Sequence, residues 1–340
     1  MKAPAMIRTP HRLTFRIAAT QLAVALLLVP AATSVAAQGT AYPSRAVTIV
    51  HPQASGGPVD ITTRLIAQKA AEGLGQNVVV EPRPGAGGTL SGAYVKQANA
   101  DGHVLLLGNH VSLAINVALM PKLPYDPLKD FSPVTLLWNN PTLLTVSSAH
   151  QAKTLRDLVL LAQKAPDAVS YATAGIGTTG HLAGTLLANE AKTTMVHVPY
   201  KGSVEALNDM LAGRLDMYLG SYASVASQHK AGKIRLIAAV SQKRNAMAPE
   251  LPTMPELGYP DIHFDSWFGI LAPARTPQPI VQRLHEEFIK AVTSSDTQSK
   301  LAAQGTVTLT SATPAEFGSF IAAEIVRLGR SAKLSGATAN

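Results

Sequence analysis

The sequence predicts an α/β protein with two lobes, a hinge between them and a central cleft. Three observations lead to this fold class. Short β-branched runs alternate with helical patterns along the chain, which favours a mostly parallel sheet with helices packed on it. Two glycine-rich segments, turn 1 (residues 51–60) and turn 2 (residues 174–181), each join a strand to a helix. Two extended, proline-containing segments, 136–147 and 249–260, have the composition of crossings between two halves.

The individual elements follow from the spacing of apolar residues and from local capping patterns. Thr154-Leu155-Arg156-Asp157 and Thr313-Pro314-Ala315-Glu316 place the residues of a helix capping box at the expected spacing. Strands are expected near 46–50, 77–81, 103–107, 131–137, 142–146, 169–173, 195–198, 215–219, 234–240, 263–271 and 305–309, and helices near 58–72, 88–98, 154–165, 179–190, 203–212, 222–231, 278–292 and 314–330.

The first 37 residues have the three parts of a cleaved secretory signal peptide. A basic segment precedes an apolar stretch, 17–32, and small residues at 35–37 offer a cleavage site before Gln38. An uncleaved membrane anchor is the alternative. The apolar stretch is shorter than the ~20 residues that a membrane span needs, and it contains Pro30. We therefore expect an exported chain. The basic residues of the segment are Lys2, Arg8, Arg12 and Arg16.

The composition of the remaining chain excludes several functional classes. Removal of residues 1–37 leaves 25 basic and 21 acidic residues, a net charge of +4, and the basic residues form no run that would indicate a nucleic-acid partner. The chain has no cysteine, which excludes disulfides, thiolate metal sites, a cysteine nucleophile and a lipidated cysteine. About 300 residues are enough for two domains of ordinary size, and we expect a monomer.

The crossings define the expected domain organisation. If the chain leaves the first lobe near 139–141 and returns near 259–261, lobe 1 consists of residues 41–138 and 262–340, and lobe 2 consists of residues 142–258. Each lobe then contains one of the two glycine-rich turns. Two crossings make a hinge with a cleft between the lobes.

A strand that runs through glycines into a helix leaves the first backbone N–H groups of the helix unpaired. These donors and the positive end of the helix dipole can bind an anion without arginine or lysine. One such turn in each lobe predicts a clamp for a small carboxylate. The alternative for turn 1 is a left-handed turn whose glycines serve geometry alone.

Side chains beside the glycines complete the expected ligand-binding set. Asp60 has two alternative roles, since it could cap turn 1 or meet a cationic group of a ligand. The hydroxyl groups of turn 2 and of the strand end near 221 would add further donors. The expected ligand-binding residues are Gln53, Ser55, Gly56, Gly57, Asp60, Thr173, Gly177, Thr178, Thr179 and Ser221.

Patterns for other chemistries are incomplete. Residues 175–180 match G-x-G-x-x-G, but no acidic residue follows the next strand to bind a ribose, so a dinucleotide site is not expected. No serine lies in G-x-S-x-G, and no histidine pair has the H-E-x-x-H spacing. His181 and His197 could serve a metal or act as a base, but local hydrogen bonding is the commoner role. We expect no catalytic residue, metal or cofactor, and an exported hydrolase-like enzyme that uses the same cleft stays open as the alternative.

Several segments of the chain carry a family resemblance when they are taken in order. They are 42–45, 56–60, 83–88, 123–127 with 130–131, 177–179 with 181–184, and 196–202. In this order and spacing they resemble the tripartite tricarboxylate transporter receptor family, also called Bug proteins, over nearly all of the mature chain. The resemblance implies a periplasmic Venus-flytrap binding protein without enzymatic activity. It also implies that the two glycine turns hold a di- or tricarboxylate, an amino acid or an aromatic acid, for a membrane permease or for sensing.

The chain departs from the family pattern at five positions near the expected pocket. These departures leave the identity of the ligand open. Gln53 stands where an aromatic residue is usual, Ser55 where alanine or proline is usual, Ile176 where a polar residue is common, Gly180 where serine is common, and Gly220 where aspartate or asparagine is common.

Overall fold

Strands and helices alternate from residue 47 to residue 334, largely in the predicted order. The computed structural model describes Met1, residues 42–244 and residues 248–334, so the expected signal peptide and its cleavage site lie outside the described residues. The elements are β1 Val47–His51, α1 Pro58–Leu74, β2 Val78–Pro82, α2 Thr89–Lys96, β3 Val104–Asn109, α3 Asn116–Leu119, β4 Phe131–Ser147, α4 Leu155–Lys164, β5 Ser170–Thr173, α5 Thr179–Glu190, β6 Val196–Pro199, α6 Ser203–Leu211, β7 Met217–Ser221, α7 Tyr222–Lys230, β8 Ile234–Ala239, β9 Asp265–Pro273, α8 Gln278–Thr293, α9 Ser295–Ala303, β10 Val307–Thr308 and α10 Pro314–Leu334.

The strands join in the order β2-β1-β3-β9-β4-β7-β5-β6, and β10 and β8 both pair with β4. The expectation of a mostly parallel sheet is wrong. Among the described residues, four strand pairings are parallel and five are antiparallel. The antiparallel pairings all involve β4 or β9, because these two strands lie between the parallel groups β2-β1-β3 and β7-β5-β6 and run against them.

Strand β4 connects the two parallel groups as one continuous strand. The sequence predicted two strands with an extended link between them. Instead, residues 131–141 pair with β9, and Thr142 onward pairs with β7 and β8. The chain stays extended through Pro141 because a different partner strand holds each half.

Three buried clusters support this arrangement. One packs around Trp138, Phe268 and Phe288 in the first half, and another around Tyr218 and Tyr222 in the second half. The third runs through both halves, from β1 and β3 to β4 and α5, and includes the buried face of α10. Helix α10 thereby packs against the first half and also contacts α5.

Local sequence signals fix several helix ends. The capping box at Thr154 is confirmed, since Asp157 N–H donates to Thr154 Oγ1 at 3.2 Å and Thr154 N–H donates to Asp157 Oδ2 at 2.9 Å. Several helical segments were not predicted, among them α9, capped by the hydroxyl of Ser294, the π-helical turn at 111–115 that leads into α3, and a short helical turn at Pro255–Leu257. In the part of the chain that the structure describes, no helix has the length and hydropathy for a membrane span.

Candidate ligand site at the two glycine turns

Turn 1 follows β1 and is held together by the carboxylate of Asp60. Gly56 adopts φ +77° and its N–H donates to Asp60 Oδ2 at 2.9 Å. Arg64 Nε donates to the same oxygen at 3.0 Å, and His51 Nε2 lies 3.0 Å from Oδ1. Of the two roles considered for Asp60, the structure shows the cap on its own turn.

The charges of turn 1 are balanced internally. Burial alone would raise the pKa of Asp60, but the hydrogen bonds from Arg64, Gly56 N–H and His51 outweigh it and lower the pKa to about 2. Burial lowers the pKa of His51, which its bond to Asp60 only partly offsets. Because His51 Nδ1 accepts the N–H of Gln53 at 3.3 Å, the proton of the neutral ring lies on Nε2 and points to Asp60.

Turn 1 presents backbone N–H groups that donate to no acceptor among the described residues. Helix α1 begins at Pro58, and no side chain caps its amino-terminal end, because the N-cap residue is Gly57. The N–H groups of Gly57, Val59 and Asp60 have no hydrogen-bond partner within the described part of the chain. These groups lie at the carboxyl end of a parallel strand, where ligands of open α/β sheets bind. The side chains of Gln53 and Ser55 are exposed beside them.

Turn 2 repeats the arrangement at the carboxyl end of β5. Gly175 and Gly177 adopt φ +134° and +75°. Thr178 caps α5, since its Oγ1 accepts His181 N–H at 3.4 Å and donates to Gly175 O at 2.8 Å. The N–H groups of Thr179 and Gly180, the first two of α5, have no partner among the residues described. Turn 2 therefore presents a second set of unpaired donors.

Two stacked imidazole rings contact turn 2 and the end of β5 that precedes it. The rings of His181 and His197 have centroids 4.1 Å apart and planes inclined by 13°. Gly177 N–H donates to His181 Nδ1 at 3.2 Å, and Thr173 Oγ1 lies 2.8 Å from His197 Nε2. Burial lowers the pKa of both rings, that of His197 to about 4. Both histidines therefore make the local hydrogen bonds that the sequence analysis favoured for them.

The remaining expected side chains lie at the junction of the two halves. Thr179 Oγ1 lies 2.8 Å from Thr142 Oγ1 and 3.3 Å from Ser266 Oγ, which ties the start of α5 to β4 and β9. Ser221 ends β7 directly opposite Thr142 and is half-buried. The structure brings the hydroxyl groups of Thr142, Thr179 and Ser266 together, although the sequence had not singled out Thr142 and Ser266.

The unpredicted helical segment 111–119 lies against the surroundings of both turns. A Cβ atom built on Gly88 would lie 2.9 Å from Ser112 Cβ and 3.0 Å from Pro52 Cβ of turn 1. A Cβ atom built on Gly177 in turn 2 would lie 3.7 Å from Leu119 Cδ1. No sequence motif indicated Leu119, because its proximity to turn 2 depends on how the two halves of the molecule pack together.

The structure explains two of the departures from the family pattern by packing. A Cβ atom on Gly180 would lie 2.2 Å from the carbonyl oxygen of Leu219, so a side chain there would push α5 away from β7. A Cβ atom on Gly220 would lie 2.1 Å from the hydroxyl oxygen of Tyr218, which is buried and lies 3.2 Å from Ser224 Oγ. Both glycines therefore serve close packing. Of the other departures, Ile176 is 50% exposed.

The mixed α/β fold matches that of solved periplasmic binding proteins, among them BugD with a TM-score of 0.77 at 31% identity. The family model of the tripartite tricarboxylate transporter family receptor matches residues 62–336. The chain therefore belongs to this family of periplasmic solute receptors, as the sequence motifs indicated, and the family is one of binding proteins rather than enzymes.

Relatives and solved structures agree with this assignment. A UPF0065 protein of Agrobacterium vitis is 37% identical over 291 residues, covering 85% of this chain and 84% of the relative. Protein BugT of Bordetella pertussis is 33% identical over 297 residues, covering 87% and 91%. An R. palustris protein with adipate has a TM-score of 0.80 at 32% identity, covering 87% and 99% of the two chains. MatC of Rhodopseudomonas palustris with bound malate has a TM-score of 0.76 at 32% identity, covering 86% and 100%.

Proposed function

We propose that this chain captures a small carboxylate between two lobes in the periplasm, for uptake by a tripartite tricarboxylate-type transporter or for sensing. The observation that carries the proposal is the pair of unpaired N–H sets, one at the start of α1 and one at the start of α5. Solved relatives with adipate and malate support the ligand class.

The change of strand partners along β4 supports the proposed lobes. Its pairing passes from β9 to β7 between residues 141 and 142. This agrees with a first lobe of residues 41–138 and 262–340, a second lobe of residues 142–258, and crossings near 139–141 and 259–261. The monomeric state and the signal peptide at residues 1–37 remain parts of the proposal. Gel filtration and amino-terminal sequencing of the exported protein test them.

Capture follows from the geometry of the donors. A ligand whose carboxylates reach both turns gains hydrogen bonds from both lobes only when the lobes are together, so it shifts the equilibrium toward the closed state. Neutral backbone donors suit reversible release, because an arginine–carboxylate pair is stronger. In this proposal the ligand contacts are Gln53, Ser55, Gly56, Gly57, Asp60, Thr173, Gly177, Thr178, Thr179 and Ser221.

The comparisons give no support to the hydrolase alternative, because the family model that matches the chain is that of a transporter receptor and solved relatives hold adipate and malate.

A ligand screen tests the proposal. Native mass spectrometry of freshly purified protein identifies a co-purified acid, and thermal unfolding is then measured with adipate, malate and the neutral diamide of adipate. A ligand that binds only the folded chain at 100 times its Kd stabilises the chain by ~2.7 kcal/mol. We expect the Tm to rise with at least one acid and to stay unchanged with the diamide. An equal shift with the diamide, or no shift with any acid and no co-purified acid, would contradict carboxylate capture.

A further inference from the structure

We propose that the open edge of strand β8 is a docking site for an extended, acidic segment of a partner protein, which joins the sheet as an added strand. Strand β8 lies at an outer edge of the sheet, and in residues 42–244 and 248–334 its only partner strand is β4. The groove beside this edge is lined by no residue of turn 1 or turn 2. The inference therefore concerns a second surface and goes beyond carboxylate capture.

The backbone of β8 leaves hydrogen-bonding groups unpaired on the side away from β4. Lys233 O accepts Ser148 N–H at 3.0 Å, so the backbone groups of Lys233 face β4. Because these groups alternate in direction along an antiparallel strand, Ile234 and Leu236 turn their N–H and C=O groups outward. No other group in the described part of the chain bonds to them. The edge therefore offers donors and acceptors at the spacing of a strand.

The same edge already pairs with an extended segment a little further along. Ala239 N–H donates to Pro252 O at 2.9 Å, and Ala239 O accepts Met254 N–H at 2.9 Å. These bonds make a short parallel bridge between Ala239 and Thr253. The outward side of β8 is thus accessible to a strand, and the bridge stops short of Leu236.

A groove of about 540 Å³ lies beside the open part of the edge. It is lined by β8, by the start of α4 and by the end of α7. Leu155 of α4 packs with Leu144 of β4, whereas Val225 of α7 packs with Leu143, so the two helices lie on opposite faces of the sheet. A strand added to β8 would therefore have a helix on each side, as the other strands of a covered sheet do. Leu257, which is 38% exposed, adds apolar surface to the groove.

Positive charge exceeds negative charge around the groove. The lysines in and next to it are exposed, and the ion pairs that lysines form among the described residues all involve other lysines. The arginine donates to two backbone carbonyl groups and to no carboxylate. The basic residues are Lys153, Lys230, Lys233 and Arg235, and the acids are Glu250 and Asp157.

This charge decides which strand fits the edge. A second copy of the chain that paired β8 with β8 would bring Lys233 and Arg235 close to the same residues of the copy, and like charges on paired strands destabilise the pairing. An acidic segment meets opposite charge instead. Extended segments bind sheet edges through main-chain hydrogen bonds, while their alternate side chains give specificity. The occupant is therefore an extended, acidic segment of another protein.

Three synthetic peptides test the proposal by fluorescence anisotropy. The first is a heptapeptide that alternates glutamate and valine, the second alternates lysine and valine, and the third is the first with methyl groups on alternate backbone nitrogens. We expect the glutamate peptide to bind at least ~10-fold more tightly than the lysine peptide, because the charges around the groove oppose the latter. Methylation of the nitrogens that face β8 should weaken binding by ~10-fold or more, since several main-chain hydrogen bonds are lost.

Hydrogen exchange measured by NMR locates the bound peptide. The glutamate peptide should slow exchange of the amides of Ile234 and Leu236 by ~10-fold or more. The amides of β2, which forms the opposite edge of the sheet, should exchange at an unchanged rate.

Two variants test the contributions of charge and backbone. Lys153→Glu should weaken binding of the glutamate peptide about 5-fold, whereas Lys122→Glu, the same change at an exposed lysine in the first half, should leave it unchanged. Leu236→Pro removes an outward N–H group and spares the ladder with β4, a position where edge strands tolerate proline. It should abolish binding, and urea unfolding checks that the variant is folded.

The remaining outcomes contradict the proposal. It is overturned if the glutamate peptide does not bind, if the lysine peptide binds as tightly, or if the slowed amides lie outside β8. A dimer that protects Leu236 without peptide would make a second copy the occupant and also overturn it. If Leu236→Pro fails to fold, the methylated peptide and Lys153→Glu decide. None of these results changes the expected binding of adipate at the two turns, so carboxylate capture stands or falls separately.

Discussion

Replacement of Gly177 by valine tests whether the backbone of turn 2, rather than a side chain, makes the site. Gly177 adopts φ +75°, a conformation that costs other L-residues ~1–2 kcal/mol and valine more. The space around it is open, since the nearest atom to a built Cβ is Leu119 Cδ1 at 3.7 Å. The strain is therefore local, and we expect the chain to fold.

The effect on binding should exceed the effect on stability. If the backbone relaxes to negative φ, the bond from Gly177 N–H to His181 breaks and the donors of Thr179 and Gly180 turn away from the ligand. A hydrogen bond to a charged group contributes ~1.5–3 kcal/mol. Loss of two such bonds weakens binding by ~3 kcal/mol or more, which is at least ~100-fold.

Gly213→Val is the matched control for this substitution. Gly213 lies in the turn after α6, adopts φ +73° and has no atom within 4 Å of a built Cβ. Both variants should lose similar stability in urea unfolding, but only Gly177→Val should lose affinity in calorimetry with an acid that binds the wild type. Unchanged affinity in Gly177→Val, or an equal loss in both variants, would refute the role of turn 2.

Three further predictions concern residues that stabilise turn 1, turn 2 and the neighbouring strand β7. Asp60→Asn should lower the free energy of unfolding at pH 7 by ~1–3 kcal/mol, the cost of losing charge-assisted bonds. Because the folded pKa of Asp60 is depressed to about 2, this difference should be full above pH ~4 and shrink as the pH falls toward 2. For His181, replacement by asparagine, whose carbonyl can accept Gly177 N–H, should preserve ligand affinity better than replacement by phenylalanine, as measured by calorimetry. Gly220→Asp should destabilise the fold through its clash with Tyr218, and the added substitution Tyr218→Val should recover part of the loss in a double-mutant cycle.

Local signals in the sequence were sufficient for most of the fold. The glycines and β-branched runs located β1, α1, β5 and α5, because conformations at positive φ and strand propensity are properties of a few neighbouring residues. The continuity of β4 through Pro141 was not predictable in this way. It depends on β9 and β7, which come from distant parts of the chain.

In the candidate site too, local sequence signals identified some residues, whereas the contacts of others depend on distant parts of the chain. Gly177 and Thr178 belong to a recognisable turn, so the sequence indicated them. The cap by Asp60 remained one of two alternatives, since the sequence cannot show which way a carboxylate turns. Leu119 and Ser266 reach turn 2 through the meeting of the two halves. The close contacts at Gly220 and Gly180 depend on strand β7, and a single sequence gives no distance between them.

A crystal structure of the purified protein with adipate tests the central claim most directly. The account predicts adipate between the lobes, with oxygens of one carboxylate ~2.7–3.2 Å from the backbone nitrogens of Thr179 and Gly180. The other carboxylate should lie at the same range from nitrogens of turn 1. Adipate held by lysine or arginine side chains, or bound to one lobe without contact to either turn, would contradict the account.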